Sequence, residues 1–163
     1  MSNDPRAAVN RLVDEVINAH RPDLAHEALH PELKLARMGM QGSAQYLAAL
    51  GSTAQGGLQD GPPPADPIEG FKAVLTLLLG AFPDLRNNIV GPQIVDGDLV
   101  ISRVQFSGTH EGEFFGVAPT HKKIEFDEVL FQWVTDGKVR EVWAVGDELG
   151  FLQQLGVLAS PQP

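Results

Sequence analysis

The sequence predicts a single α+β domain in which a curved antiparallel sheet packs against N-terminal helices and a short helix closes the chain. Three observations predict it. Apolar residues recur at helical spacing through the first half, and the period shifts towards two from about residue 88. Asp96-Gly97 and Asp136-Gly137 then punctuate the second half as hairpin turns. A sheet folded over helices on one side makes a cone, whose mouth can hold a ligand and whose wall is every second residue of the strands.

The elements follow in order. Asp4 before Pro5 marks a helix start, because the carboxylate can accept from orphan backbone N–H groups and proline loses nothing at the first helical position. Val9, Leu12, Val13, Val16 and Ile17 form the stripe of that helix. A second short helix is expected from Pro22-Asp23 to Pro31, and an extended piece over 32–40. Ala44 to Leu50 suits another helical turn or two. The Gly- and Pro-rich segment 51–70 predicts a loop insert, either a mobile surface loop or a lid over the pocket. Ile68, Phe71, Val74, Leu75, Leu78 and Phe82 give a core helix that stops at Pro83. Four strand-like runs follow over 88–95, 99–106, 122–135 and 138–145, then a helix over 148–155 with Gly156 as its C-cap. A tail occupies 159–163, and the whole chain, 1–163, is expected to be one domain.

With 163 residues, 43% of them apolar, the chain is long enough to bury a core and enclose a pocket. Twelve basic residues against 21 acidic ones leave a net charge of −9, which argues against nucleic acid and anionic membrane as partners and favours a neutral small molecule. The absence of cysteine excludes disulfides, thiolate metal sites and thiol nucleophiles. The N-terminus has no signal-peptide pattern and no apolar run is long enough to span a bilayer, so a cytoplasmic location is expected. No Gly-x-Gly-x-x-Gly, phosphate-cradling loop, His-Glu-x-x-His or Gly-x-Ser-x-Gly is present. His20, His26 and His30 are loosely spaced and lack a matched carboxylate pair in sequence, so no metal site is expected.

Ala81-Phe-Pro-Asp-Leu85, Gly108-Thr-His-Glu-Gly-Glu-Phe114, Gly116, Pro119-Thr120, Asp136-Gly-Lys138, Glu141, Trp143, Asp147 and Gln154-Leu-Gly156 occur in an order and spacing that resemble the SnoaL-like polyketide cyclase family. The likeness is strongest over 70–158, about half of the chain. It implies the cone-shaped, cystatin-like fold of the nuclear transport factor 2-like superfamily. It also implies an aspartate near the end of the last strand acting as general acid/base in an intramolecular aldol-type ring closure of a polyketide ester. No cofactor is implied, and pairing of two copies through the sheet is. Asp147 matches that aspartate. The chain departs from the family where Pro119-Thr-His-Lys122 replaces the usual Pro-Thr-Gly-Lys, and in the 51–70 insert.

Regular alternation places Val139, Glu141, Trp143, Val145 and Asp147 on one strand face. A carboxylate beside Trp and Val is partly desolvated, which raises its pKa towards the range a general acid/base needs. Asp147 also stands where a helix N-cap belongs, and the two readings are not exclusive. His110 can shuttle a proton or polarise a carbonyl, or be structural. Phe131 and Trp133 suit a wall for a planar ligand, or plain core, while Glu128 and Gln132 alternate with them and face either solvent or the opposite wall. Arg103 and Gln105 interrupt an apolar strand. An inward Arg103 needs a carboxylate such as Glu141 or Asp147, and an outward one suits an ion pair on the outer face. The leading expectation is a cyclase, isomerase or lyase acting on a hydrophobic carbonyl compound, with Asp147 and His110 catalytic and Arg103, Gln105, Phe131, Trp133, Glu141 and Trp143 binding substrate. The rivals are a binding module of the same fold and an epoxide hydrolase with paired carboxylates.

Overall fold

The computed structural model describes residues 4–38 and 66–158. Helix α1 (Arg6–Arg11) starts where Asp4 Oδ1 accepts the Arg6 N–H at 3.0 Å. It runs on into wider π-helical turns over Leu12–Asn18, closed by the Arg21 N–H on the Val16 carbonyl at 2.8 Å. Val9, Leu12, Val13 and Val16 are buried, as their spacing predicts.

A 3-10 turn (Pro22–Leu24) and the one-turn helix α2 (Ala25–Ala28) lead directly into strand β1 (Leu29–Met38). The second helix is therefore shorter than its sequence pattern suggests, and Pro31 lies inside a strand. That is tolerated because β1 is the edge of the sheet and its pairing shifts register between Leu29 and Lys34, where a missing N–H removes no ladder bond. Helix α3 (Pro67–Ala81) is capped by Asp66, whose Oδ1 accepts the Ile68 N–H at 2.8 Å, and Ile68 and Leu75 are buried along its inner side. Residues 67–70 thus belong to a helix rather than to the expected loop. The remainder of that loop, the helical turn expected over Ala44 to Leu50, and the tail lie outside the described residues.

Strands β2 (Arg86–Ile89), β3 (Ile94–Asp96), β4 (Leu99–Thr109), β5 (Lys123–Thr135) and β6 (Lys138–Gly146) complete the sheet. Its order is β1-β6-β5-β4-β2, with β3 also on β4. Neighbours from β2 to β6 are antiparallel, and β1 adds a parallel edge to β6. The expected run over 88–95 divides into β2 and β3 at Gly91-Pro92, where Gly91 takes φ +76° and proline has no N–H to donate. Helix α4 (Glu148–Leu155) ends on Gly156 at φ +84°.

Two apolar clusters fill the concave side of the sheet. One joins Val9, Leu12, Val16, Leu29, Ile68 and Leu75 to Val100, Val134 and Val139. The other is aromatic, built from Phe82, Phe106, Phe114, Phe126 and Phe151 with Leu85, Ile124 and Leu155. Each large side chain buried there contributes about 1.5–3 kcal/mol. No described helix is long and apolar enough to cross a membrane.

The motif residues quoted above act mainly as fasteners between α3, the β4 end and α4. Asp84 accepts from the Thr109 N–H at 2.6 Å and the Thr109 hydroxyl at 2.7 Å, and these bonds, the backbone one foremost, hold its pKa below the usual carboxylate value. The Glu111 and Gly112 N–H groups both reach the Ala81 carbonyl. A Cβ at Gly112 would sit 2.0 Å from the Gly80 oxygen, so only glycine fits there. Gln154 pairs with both backbone groups of Glu125 at 2.8 Å, tying α4 to the end of β5.

Candidate active site

Residues directly opposite in neighbouring strands point to the same side of a sheet, so the register sorts the candidates. On one side stand Phe106 opposite Phe126, Val104 opposite Glu128 opposite Gly146, and Leu130 opposite Ala144. This is the concave face: Val104, Phe106, Phe126, Glu128 and Ala144 are buried. On the other side stand Arg103 opposite Val129 opposite Val145, Gln105 opposite Asp127, Phe131 opposite Trp143, and Trp133 opposite Glu141.

All six residues expected to bind substrate, Arg103, Gln105, Phe131, Trp133, Glu141 and Trp143, therefore share the convex face. Arg103 forms an exposed ion pair with Asp127 at 2.7 Å, and Phe131 and Trp143 meet edge to face with centroids 5.2 Å apart. Trp133 is 36% exposed, Val129 37% and Val145 39%. Val139 and Glu141 do not share a face, because the β5–β6 register slips between Trp133 and Val134 and shifts the alternation by one residue. Val139 is consequently buried and Glu141 exposed.

Asp147 sits at the N-cap of α4. Its Oδ1 accepts the Gly150 N–H at 2.9 Å, its carbonyl accepts the Phe151 N–H at 3.0 Å, and its own N–H donates to the Asp127 carbonyl at 3.1 Å. The residue is exposed. Its carboxylate occupies the space over Gly150 so closely that a Cβ there would lie 2.2 Å from Asp147 Oδ2.

His110 is fully buried. Its Nδ1 accepts the Thr120 N–H at 3.2 Å and lies 3.1 Å from the Thr120 hydroxyl, which assigns the proton to Nε2 in the neutral ring. Nε2 has no hydrogen-bond partner. Burial pushes its pKa below the usual 6.5; the Gly112 backbone opposes this without forming a sound hydrogen bond. The ring packs on Phe82 at 5.3 Å, one ring removed from the cavity described next.

The concave face holds a charged cluster that alternation alone did not single out. Arg37 on β1 makes a bidentate pair with Glu128 on β5, Nη1 to Oε2 at 2.9 Å and Nη2 to Oε1 at 2.7 Å. Its Nε and Nη2 also reach Glu148 Oε1, at 3.0 and 2.9 Å. Burial opposes the guanidinium charge most strongly, but the two carboxylates together outweigh it and hold the Arg37 pKa above its ordinary value. Gly146 leaves the room: a Cβ there would lie 3.1 Å from Glu128 Cγ and 3.3 Å from Arg37 Nη2. These three charged residues border a cavity of about 50 Å³ whose other walls are Leu78, Phe106, Phe114, Phe126 and Phe151. A liquid water occupies about 30 Å³, so this space admits a water or the carbonyl end of a compound whose remainder stays outside it.

The early histidines separate. His20 Nε2 donates to the Leu85 carbonyl at 2.9 Å, and His30 Nδ1 accepts the Glu32 N–H at 3.1 Å. Contrary to the sequence expectation, His26 does have two carboxylates beside it, with donor atoms of His26, Asp66 and Glu69 within 4.8 Å of one another. All three are exposed, Lys72 Nζ already holds Glu69 Oε1 at 2.8 Å, and the positive end of the α3 dipole points at the group, which opposes a cation.

The SnoaL-like polyketide cyclase model matches residues 56–155. The chain belongs to the SnoaL-like polyketide cyclase family. Among solved structures it is similar to IdmH, a candidate polyketide cyclase from Streptomyces antibioticus, with 27% identity over 94% of this chain and 99% of that one and a TM-score of 0.70. AclR, a candidate hydroxylase from Streptomyces galilaeus, superimposes with a TM-score of 0.72 at 22% identity, over 99% of this chain and 87% of that one. A SnoaL-like candidate cyclase from Jannaschia does so at 0.70 and 22%, over 96% and 93%. These likenesses establish the cone-shaped α+β fold. No curated protein matches the chain by sequence.

Proposed function

We propose that this SnoaL-like protein is a cofactor-independent cyclase or isomerase that moves a proton α to the carbonyl of a hydrophobic compound. The observation that carries the proposal is the cavity in which Phe106, Phe114, Phe126 and Phe151 surround the Arg37, Glu128 and Glu148 cluster. In an aldol-type ring closure a carboxylate removes the α-proton, the electron pair moves onto the carbonyl oxygen, the enolate carbon attacks a second carbonyl, and the new alkoxide takes a proton back. Phenyl walls exclude water and strengthen each charge interaction, and Arg37 is the cation on that wall that can steady a developing oxyanion.

The test uses 1-tetralone, a bicyclic aryl ketone, in deuterated buffer. NMR should show shifts of the Phe126 and Phe151 ring signals and enzyme-accelerated exchange of the α-hydrogens. Ring shifts with no exchange would identify a binding module instead.

Two carboxylates on one arginine also favour a second reading, the hydrolysis of an epoxide. One carboxylate would draw a proton from water while the other carboxyl group, starting in its neutral acid form, gives its proton to the opening ring oxygen. Styrene oxide is the probe, and diol formation would select this reading.

We also infer that two copies pair through the convex face. Val129, Trp133 and Val145 are large apolar side chains left exposed there around the Phe131–Trp143 pair, and a patch of that kind favours burial against its own copy.

A further inference from the structure

The chain has five asparagines, and four of them line one crevice between the first helical segment and the edge strand β2: Asn10, Asn18, Asn87 and Asn88, with Gln93 beside them. The crevice measures about 290 Å³ and shares no lining residue with the aromatic cavity. Asn18 has a structural role. Its Oδ1 accepts the Asn87 N–H at 2.8 Å and its Nδ2 donates to the Asn87 carbonyl at 2.9 Å, so the side chain stands in for a peptide group paired with β2. The Asn10 and Asn87 side chains have no such bond through oxygen: both Oδ1 atoms are buried and without a hydrogen-bond partner, an arrangement that costs stability and is uncommon. Gln93 donates to the Ser102 hydroxyl at 3.2 Å, and Ser102 donates to Gln132 Oε1 at 3.4 Å. Ser102 and Gln132 are buried, so polar groups continue inward from the crevice.

We propose that this crevice binds a neutral polyhydroxy compound the size of one sugar ring. The lining chemistry selects that class. Among the described residues no cation lines the crevice, its charged side chain is Asp14, and the chain carries a net charge of −9, so an anion is disfavoured. Arg86, on the same strand, is bonded to the Asn18 carbonyl. Val13 and Ile89 are the apolar lining side chains, enough to meet the C–H face of a sugar but too few to drive uptake of a hydrophobic compound. A ligand whose hydroxyls both donate and accept matches what planar amides offer in return. The Asn10 and Asn87 amides can answer it, because the terminal torsion of asparagine is broad and no bond to Oδ1 opposes the turn that brings that oxygen to the crevice. The volume falls at the lower end of small-molecule sites, which run from about 300 Å³ upward.

The experiment titrates D-glucose, D-galactose and myo-inositol, each alone, into the isotope-labelled full chain and follows the side-chain amide signals by NMR. At least one of the three should shift the Asn10, Asn87 and Gln93 signals saturably. Asn10→Ala and Asn87→Ala should each weaken that binding about five- to tenfold, the worth of one hydrogen bond. Both should keep the wild-type urea midpoint, since neither Oδ1 has a bond to lose. The wild-type shifts decide the matter even if a variant does not fold. No saturable shift with any of the three compounds, or saturable shifts confined to residues elsewhere, would overturn the assignment, as would binding left unchanged in both variants. The reading of the aromatic cavity stands or falls separately, because the two sites share no lining residue.

Discussion

Replacing Arg37 by Met tests the charged cluster directly. Glu128 Oε1 and Glu148 Oε1 lie 2.7 and 2.9 Å from the same nitrogen, so they are at most about 5.6 Å apart, and without the guanidinium they face each other across an apolar cavity. Two like charges about 5 Å apart repel by about 3 kcal/mol at an effective dielectric constant of about 20. Breaking a buried pair while leaving its charge behind costs about 3–5 kcal/mol, a large share of a typical domain's stability. The side chains of Arg37, Glu128 and Glu148 are 26%, 10% and 14% exposed, so solvent screens the cluster little. Urea unfolding at pH 7 should therefore show Arg37→Met about 3–5 kcal/mol less stable than wild type at unchanged slope. The sign of the pH effect follows. The penalty is a repulsion between two negative charges, largest at neutral pH and smaller in acid, so the gap to wild type should narrow at pH 5. A loss below about 1 kcal/mol, or the same loss at both pH values, would refute a tightly held cluster.

The remaining predictions concern the scaffold and the pairing surface. His110 resists protonation in the fold, its pKa being below the usual 6.5, so the unfolded chain binds the extra proton and wild-type stability should fall as pH drops below about 6.5. His110→Gln retains an acceptor for the Thr120 N–H and should flatten that slope in unfolding curves taken between pH 7 and 5. Gly112→Ala drives a methyl to 2.0 Å from a backbone oxygen, and calorimetry should show a loss of about 1–3 kcal/mol or more, as overpacking does. Trp133→Glu on the convex face should shift sedimentation from dimer to monomer with little change in unfolding midpoint, whereas a monomeric wild type would remove the pairing proposal.

Much of the fold was legible because it depends on local chemistry. The stripe from Val9 to Val16, the stop at Pro83, and Gly156 as a C-cap are each set by a few neighbouring residues. Pro31 misled the reading because proline breaks a helix anywhere, and only the edge position of β1 shows how a strand accommodates it. The convex placement of Arg103, Phe131, Trp133 and Trp143 was not legible for a related reason. Alternation groups residues by face but does not say which face the helices cover, and the slip between Trp133 and Val134 breaks the pattern within β6. Glu128 and Gln132 carried the usable signal, since polar residues alternating with aromatics on a central strand are out of place on either face. Arg37 carried none, because its role depends on a parallel contact between residues more than a hundred positions apart.

Apart from Phe114, the residues that identify the family and the residues that line the cavity are different sets, and the separation has a physical basis. Asp84, Thr109, Gly112, Asp147 and Gln154 make short bonds and close contacts that fix how α3 and α4 meet the sheet, and such contacts tolerate few alternatives of shape. Arg37, Glu128 and Glu148 come from three elements that those fasteners bring together. An ion cluster in a largely dry space is a poor device for stability, because apolar residues of similar volume can fill it at no loss. If Arg37, Glu128 and Glu148 were replaced together by Met and Leu, the protein should keep or gain stability against urea while losing exchange on 1-tetralone. Only a cluster held for chemistry behaves in that way; a triple variant that unfolds would mark it as part of the scaffold instead.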